Sequence, residues 1–403
     1  MPKRPSKQDN DLPFPDGDGS SDAAPNEEMA PPLNRGGHPI LPPVSENRLA
    51  AVLGDDLDEP ELTRNVELVL DREFFLPVHG FVELTAEEAQ IVDHPAFQRL
   101  GSIYQLGQTH LVYRGATHTR LEHVLGTLYV ADEMVTAINK NHSRLQRQER
   151  FQEESPLDEP ISKVEQIFIR LSALLHDIGH LPAGHTLEDE LHLLDKHDGI
   201  DRLTNVLNRN DWPGLPTETL RARIDRLYTP WVTNLGISAS DLVVQIVAKP
   251  PREGQPPLPG TTPAIQLFRL EVCRDIVGNT ICADLLDYLH RDWYHIGKQR
   301  YFDRRLLQYM EVRRDGKDIP QIVVSLGTRP KIRTDAVSAI LNLLESRYEL
   351  AESVLFHRTK CSAAAMLERG LQELALEQAE GKVRESWATT LEKLLMDQSD
   401  KGV

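Results

Sequence analysis

Cysteine is scarce. Cys273, Cys282 and Cys361 are the chain's three, odd in number and never spaced Cys-x-x-Cys, which argues against both a disulfide framework and a zinc ribbon. A reducing compartment is therefore expected. Long apolar runs are missing too: none approaches the ~18 residues a membrane-spanning helix needs. Lys3, Arg4 and Lys7 are not followed by an apolar segment, so a signal peptide is not expected. Together these absences predict a soluble, cytoplasmic protein with no membrane partner. Positive charge is short as well, with 45 Lys and Arg against 62 Asp and Glu and a net charge of −17. A broad nucleic-acid-binding surface would need a basic face, so nucleic acid is not the favoured partner. A local cationic pocket for phosphates remains compatible with this balance.

What is present is long enough, at 403 residues, to bury a sizeable core in about two to three domains. Ten of the 27 prolines fall within residues 1–45, around an Asp-Gly-Asp-Gly-Ser-Ser stretch. Such a segment buries too little apolar surface to offset ordering, so residues 1–48 are expected to form a disordered acidic, proline-rich tail. A core is expected over 49–310, with regular structure starting near Leu62. A β hairpin and C-terminal helices over 311–403 are expected to complete the site.

Within the core, residues 72–84 predict a short strand pair around Pro77 and Gly80. Helices are expected over 86–98, 121–139, 164–178, 187–195 and 238–248, with another carrying Asp284. Residues 249–263 form a Pro/Gly-rich surface loop, and 310–326 a hairpin turning at Asp315-Gly316. The final third returns to helix over 335–350, 353–373 and 382–396. The fold class is mostly α, a helical core with one or two small β hairpins, and no internal repeat is present.

The most informative stretch is Leu174-Leu-His-Asp-Ile-Gly-His-Leu-Pro-Ala-Gly-His185. It follows an apolar segment that reads as a buried helix, and burying imidazoles and a carboxylate costs several kcal/mol unless something pairs with them. A divalent metal is the most economical partner, since imidazole nitrogen and carboxylate oxygen suit Zn, Mn or Fe alike. Neighbouring helical residues point about 100° apart, so other elements must complete a ligand set built on His176 and Asp177. Arg120-Leu-Glu-His123 lies upstream, and Asp284, Asp287 and Asp292 follow downstream. Pro182 and Gly184 are expected to stop the central helix just past His180. That would leave His180 on the same face as His176 and His185 on a turn.

The order His123, His176-Asp177, Asp284 resembles the HD-domain phosphohydrolases. Their deoxynucleoside triphosphate triphosphohydrolase branch is matched further by Pro77-Val-His-Gly-Phe-Val-Glu-Leu84, His94-Pro-Ala-Phe-Gln-Arg-Leu100, Gln105-Leu-Gly107, Gly115-Ala-Thr-His-Thr-Arg-Leu-Glu-His123, Asp287-Tyr-Leu-His-Arg-Asp292 and His357-Arg-Thr-Lys360. These motifs cover residues 70–370 in order. The resemblance implies an HD-domain helical core, with His123, His176, Asp177 and Asp284 as ligands of a divalent metal. Mn, Mg, Fe or Co is expected ahead of Zn, which prefers fewer ligands.

The same resemblance places His180 and His185 beside the scissile α-phosphate, with His185 as the acid, and pairs His197 with a neighbouring acid, expected at Asp198. It assigns Arg120 and Arg347 to phosphate, with Lys360 adding charge, Gln105 and Asp292 to the sugar 3′-hydroxyl, and Tyr288 to the sugar face. The implied reaction converts a dNTP and water to deoxynucleoside and inorganic triphosphate, in a homo-oligomer that is a tetramer or hexamer. Three positions depart from the vertebrate members. Leu285 replaces a phosphate-binding lysine, Leu355 a tyrosine near the base, and Gly101 an arginine serving an allosteric guanine-nucleotide site. Two alternatives stay open: the same site acting on another nucleotide or a nucleic-acid end, and a nucleotide-sensing or scaffold protein without turnover.

Overall fold

The computed structural model describes residues 68–146, 157–183, 188, 196–211, 218–248, 268–298, 300, 303–327 and 332–379. The expected tail, the Pro/Gly-rich loop, the helix over 187–195 apart from Glu188, and the helix over 382–396 lie outside them.

Two strands open the described fold. β1 (Leu70–Leu76) pairs antiparallel with β2 (Gly80–Thr85) through a turn ending at Gly80, whose φ of 77° suits a residue without a Cβ. Thr85 then caps α1 (Ala86–Val92), and Glu88 returns the bond in a capping box. The helix expected over 86–98 is broken. Pro95 cannot continue the hydrogen-bond ladder, so the chain restarts as the single turn α2 (Pro95–Gln98), with the His94 ring accepting from Ala96 N.

The centre is α3 (Arg120–Gln146), which runs seven residues past its expected end and buries residues along most of its length. It packs on α4 (Lys163–Leu175), started by a Ser162–Glu165 capping box and buried on every side from Val164 onward. Smaller helices α5 (Ile200–Asn208), α6 (Leu220–Tyr228), α7 (Ala239–Val247) and α8 (Leu270–Gly278) close one flank. α7 is the helix expected over 238–248; α5, α6 and α8 went unrecognised in the sequence. α9 (Ala283–His295) lies along α3.

The hairpin of β3 (Met310–Arg314) and β4 (Pro320–Val324) forms as expected, its turn held by Asp315 Oδ1 accepting from Lys317 and Ile319 N. β3 packs against α3. Last come α10 (Thr334–Leu350) and α11 (Arg358–Ala379), separated by a wide turn over Ala351–Leu355 that delays the second helix by five residues. The mostly α core with two small hairpins stands as read from the sequence.

One local correction matters for chemistry. α4 stops at Leu175, and residues 176–179 turn tightly instead of continuing the helix to 178. Their carbonyls face side chains: Arg99 donates to Ile178 O and His180 O, and Arg202 Nε donates to Gly179 O. His176 and His180 therefore do not share a helix face.

Candidate metal centre

α3 delivers His123 from its first turn, the end of α4 delivers His176 and Asp177, and the first turn of α9 delivers Asp284. All four sequence-predicted ligands meet. His123 Nε2 lies 3.2 Å from His176 Nε2, 3.1 Å from Asp284 Oδ1 and 3.8 Å from Asp177 Oδ2. His176 Nε2 lies 3.6 Å from Asp177 Oδ1 and 3.7 Å from Asp284 Oδ1. An octahedral ion with bonds of about 2.1 Å sets adjacent donors roughly 3 Å apart and opposed donors about 4.2 Å apart. The observed spread falls in that interval.

Tautomers sharpen the argument. His176 Nδ1 is 2.7 Å from Ala173 O, which can only accept, so Nδ1 carries the proton. His123 Nδ1 donates to Asp287 Oδ2 at 2.8 Å. In their neutral forms both Nε2 atoms are therefore bare lone pairs, facing each other at 3.2 Å. Two acceptors at that distance repel unless positive charge sits with them. The surrounding acids call for the same charge: burial opposes protonation of His123, yet its bonds to Asp284 and Asp287 outweigh that and push it up to about 10. Burial likewise opposes the charge on Asp177, but Arg120 first, then His180 and His176, hold its carboxyl well below the ordinary range. About a third of the Asp284 side chain stays open to solvent, giving the centre an entrance. A divalent metal fits this donor set.

A second group leans on the far side of Asp177. His180 Nε2 is 3.3 Å from Asp177 Oδ1 and His197 Nε2 is 4.0 Å away, the two rings stacked with centroids 3.6 Å apart. Gly179 permits this approach, since a Cβ there would collide with the His197 carbonyl. Burial, Arg120 and His197 keep His180 well below its ordinary value and hence neutral. Arg120 pairs directly with Asp177, so these donors already answer a cation. The acid paired with His197 is Glu188, whose Oε2 accepts from Nδ1 at 2.8 Å and from His197 N at 3.2 Å. This corrects the expectation of Asp198, which is half-buried on the adjoining turn. Sequence adjacency misled there, because adjacent side chains diverge. His185 lies outside the described residues.

Of the residues expected around a substrate, Gln105 and Asp292 are joined through His118. Gln105 N donates to His118 O at 3.0 Å, and His118 Nε2 donates to Asp292 Oδ1 at 2.7 Å. Gln105 Oε1 is buried without a hydrogen-bond partner among the described residues. Tyr288 stands one turn beyond Asp284. Burial and the Asp284 charge raise its phenol well above the ordinary value, with Arg347 pulling the other way, which places Arg347 within electrostatic reach. Arg347 itself is exposed at the end of α10, and Lys360 is buried in the first turn of α11. Leu285 points into the core, 3% exposed.

Four residues were given no individual role in the sequence reading: Glu188, and His79, His118 and Asp287, which lie within the matched motifs. Asp287 carried the clearest signal, one turn after Asp284 on an amphipathic helix.

Among the described residues no helix is long and apolar enough to cross a membrane. The HD-domain family model matches residues 120–292. The deoxynucleoside triphosphate triphosphohydrolase SAMHD1 of Mus musculus is 26% identical over 298 residues, 68% of this chain and 40% of that protein. The enzyme of the same name from Danio rerio is 30% identical over 248 residues, 59% of this chain and 36% of that protein. The uncharacterized protein YwfO of Bacillus subtilis is 27% identical over 328 residues, 79% of this chain and 59% of that protein. The chain thus spans between a third and three fifths of the length of these relatives. The HD model lies over all four converging side chains, so residues 120–292 carry an HD domain, and the chain is similar to the deoxynucleoside triphosphate triphosphohydrolases named above.

Proposed function

We propose that this protein is a divalent-metal triphosphohydrolase that converts a dNTP and water to a deoxynucleoside and inorganic triphosphate. The observation that carries the reading is the pair of imidazole Nε2 atoms at 3.2 Å, each ring with its Nδ1 committed to an acceptor, flanked by Asp177 and Asp284. His123, His176, Asp177 and Asp284 would hold the metal. When bound, such an ion polarises a phosphoryl oxygen and lowers the pKa of water.

The remaining work falls to side chains. Arg120 Nε is buried without a partner among the described residues, so Arg120 can brace Asp177 with one nitrogen and offer another to a phosphate oxygen. Arg347 and Lys360 add charge for the β and γ groups. Gln105 Oε1 accepts from the sugar 3′-hydroxyl, alongside Asp292, and Tyr288 packs on the sugar. In the reaction water oxygen bonds to the α-phosphorus while the bond from phosphorus to the 5′-oxygen breaks, and that oxygen needs a proton. His180, neutral at physiological pH, is a poor source of it. His185 is the proposed donor, and His197 with Glu188 forms a second ionisable pair.

Incubating the purified chain with each dNTP and Mn should release intact triphosphate and free deoxynucleoside. Replacing His185 with Ala should abolish this turnover while leaving metal content unchanged. Release of orthophosphate or pyrophosphate instead would move the reading to another phosphoester. Turnover retained without His185 would remove it as the acid.

A further inference from the structure

Behind the metal-facing side of His123 sits the buried carboxylate that accepts from its Nδ1. Asp287 is fully buried, and its two oxygens accept four bonds. Oδ2 accepts from His123 Nδ1 at 2.8 Å and from Arg291 Nε at 2.9 Å. Oδ1 accepts from His79 Nε2 at 2.6 Å and from Arg291 Nη2 at 2.8 Å. The guanidinium offsets the carboxylate charge in the core, and the two-pronged arginine contact fixes the plane of the carboxylate.

Its surroundings fit it closely. His79, in the β1–β2 turn, is itself stacked on Tyr129 with ring centroids 4.8 Å apart. Gly126, one turn after His123 on α3, leaves the room: a Cβ there would overlap both Asp287 Oδ1 and Arg291 Nη2. Asp287 lies on the Nδ1 side of the His123 ring, away from Nε2, and so is not a fifth ligand.

We infer that Asp287 is a positioning residue, locked by Arg291 and His79, that fixes the tautomer and orientation of His123 and makes its Nε2 a stronger donor to the metal. The inference rests on the proposed metal centre. A carboxylate on the far nitrogen of a ligating histidine pins the proton there and raises the basicity of the other nitrogen, and losing such a partner typically weakens metal affinity by about 10–100-fold. Here the carboxylate cannot drift, because three donors from three elements hold it.

The test uses the full chain, stripped with a chelator and titrated with Co(II), with ¹⁵N-histidine NMR of the stripped protein. Two substitutions approach the same contact differently. Asp287→Asn removes the charge, paired with Arg291→Gln in a double variant so that no buried arginine is left unmatched. Gly126→Ala keeps the carboxylate but displaces it. Arg269→Gln, which breaks the distant bond to Glu165, controls for lost stability.

Co(II) affinity should fall about 10–100-fold in both the double variant and Gly126→Ala, with the Nδ1–H signature of His123 lost. Arg269→Gln should lower the melting temperature and leave affinity unchanged. Folded variants that bind Co(II) as tightly as the parent would overturn the positioning role while leaving the metal centre intact. A parent chain that binds no Co(II), Mn(II) or Fe(II) would overturn the metal centre itself, and the positioning role with it.

Discussion

Histidine does several jobs in this molecule, and its neighbours decide which. His123 and His176 have one nitrogen committed to an acceptor and present the other to a shared point. His290 and His295 are half-buried beside other basic side chains and held neutral. Burial first, then the charge of His79, brings His290 down to about 4, and burial with the His118 charge does the same for His295. The unfolded chain takes up protons near pH 6.5 that these two refuse until about pH 4. More protons on the unfolded side mean that stability falls as pH drops through that window. His123, raised to about 10, acts in the opposite sense and only above pH 6.5, so it does not offset the loss. The urea midpoint should therefore decline steadily from pH 6.5 to 4.5, and His295→Gln should flatten the slope. A midpoint that holds level in the parent chain would contradict this reading. The four converging side chains, His123, His176, Asp177 and Asp284, were legible in the sequence because their order and spacing carry chemistry. Asp287 and Glu188 were not, because their partners come from distant segments and only folding shows which side of a ring each one meets.

At the level of elements, the site depends on where helices stop. α4 ends one residue short of His176, and the tight turn that follows is fixed by Arg99 and Arg202 capturing its carbonyls. A single sequence shows Pro182 and Gly184 as breakers but does not show arginines at 99 and 202 reaching back to end the helix earlier. The break at Pro95 was readable in principle and was outweighed by apolar periodicity on both sides. α4 is tied to the opening hairpin and α1 by Arg170, which donates to Glu88 at 2.7 and 2.8 Å and lies 3.1 Å from Asp132. Arg170 and Glu88 are both buried, so removing one partner strands the other charge. Arg170→Ala should cost about 3–5 kcal/mol in equilibrium unfolding. Replacing Arg170 with Met and Glu88 with Leu together should cost much less. Equal losses in the two variants would show that packing, not charge, sets the penalty.

For the whole molecule, the acidic balance and the proposed anionic substrate are reconciled by location. Arg120 is buried beside Asp177, Arg347 lies within reach of Tyr288, and Lys360 is buried at the start of α11, while the excess of acids is spread over the rest of the chain. Net charge alone could not have revealed this arrangement, whereas the mostly α class followed from long periodic segments that tolerate errors of several residues at each end. In the proposed reaction water attacks the α-phosphorus at the His123, His176, Asp177 and Asp284 centre. Turnover of a dNTP in ¹⁸O-labelled water, read by mass spectrometry, tests it most directly. The label should appear in inorganic triphosphate, with the deoxynucleoside unlabelled, and Asp177→Ala should abolish both products. Label in the deoxynucleoside, or in orthophosphate or pyrophosphate, would contradict the claim.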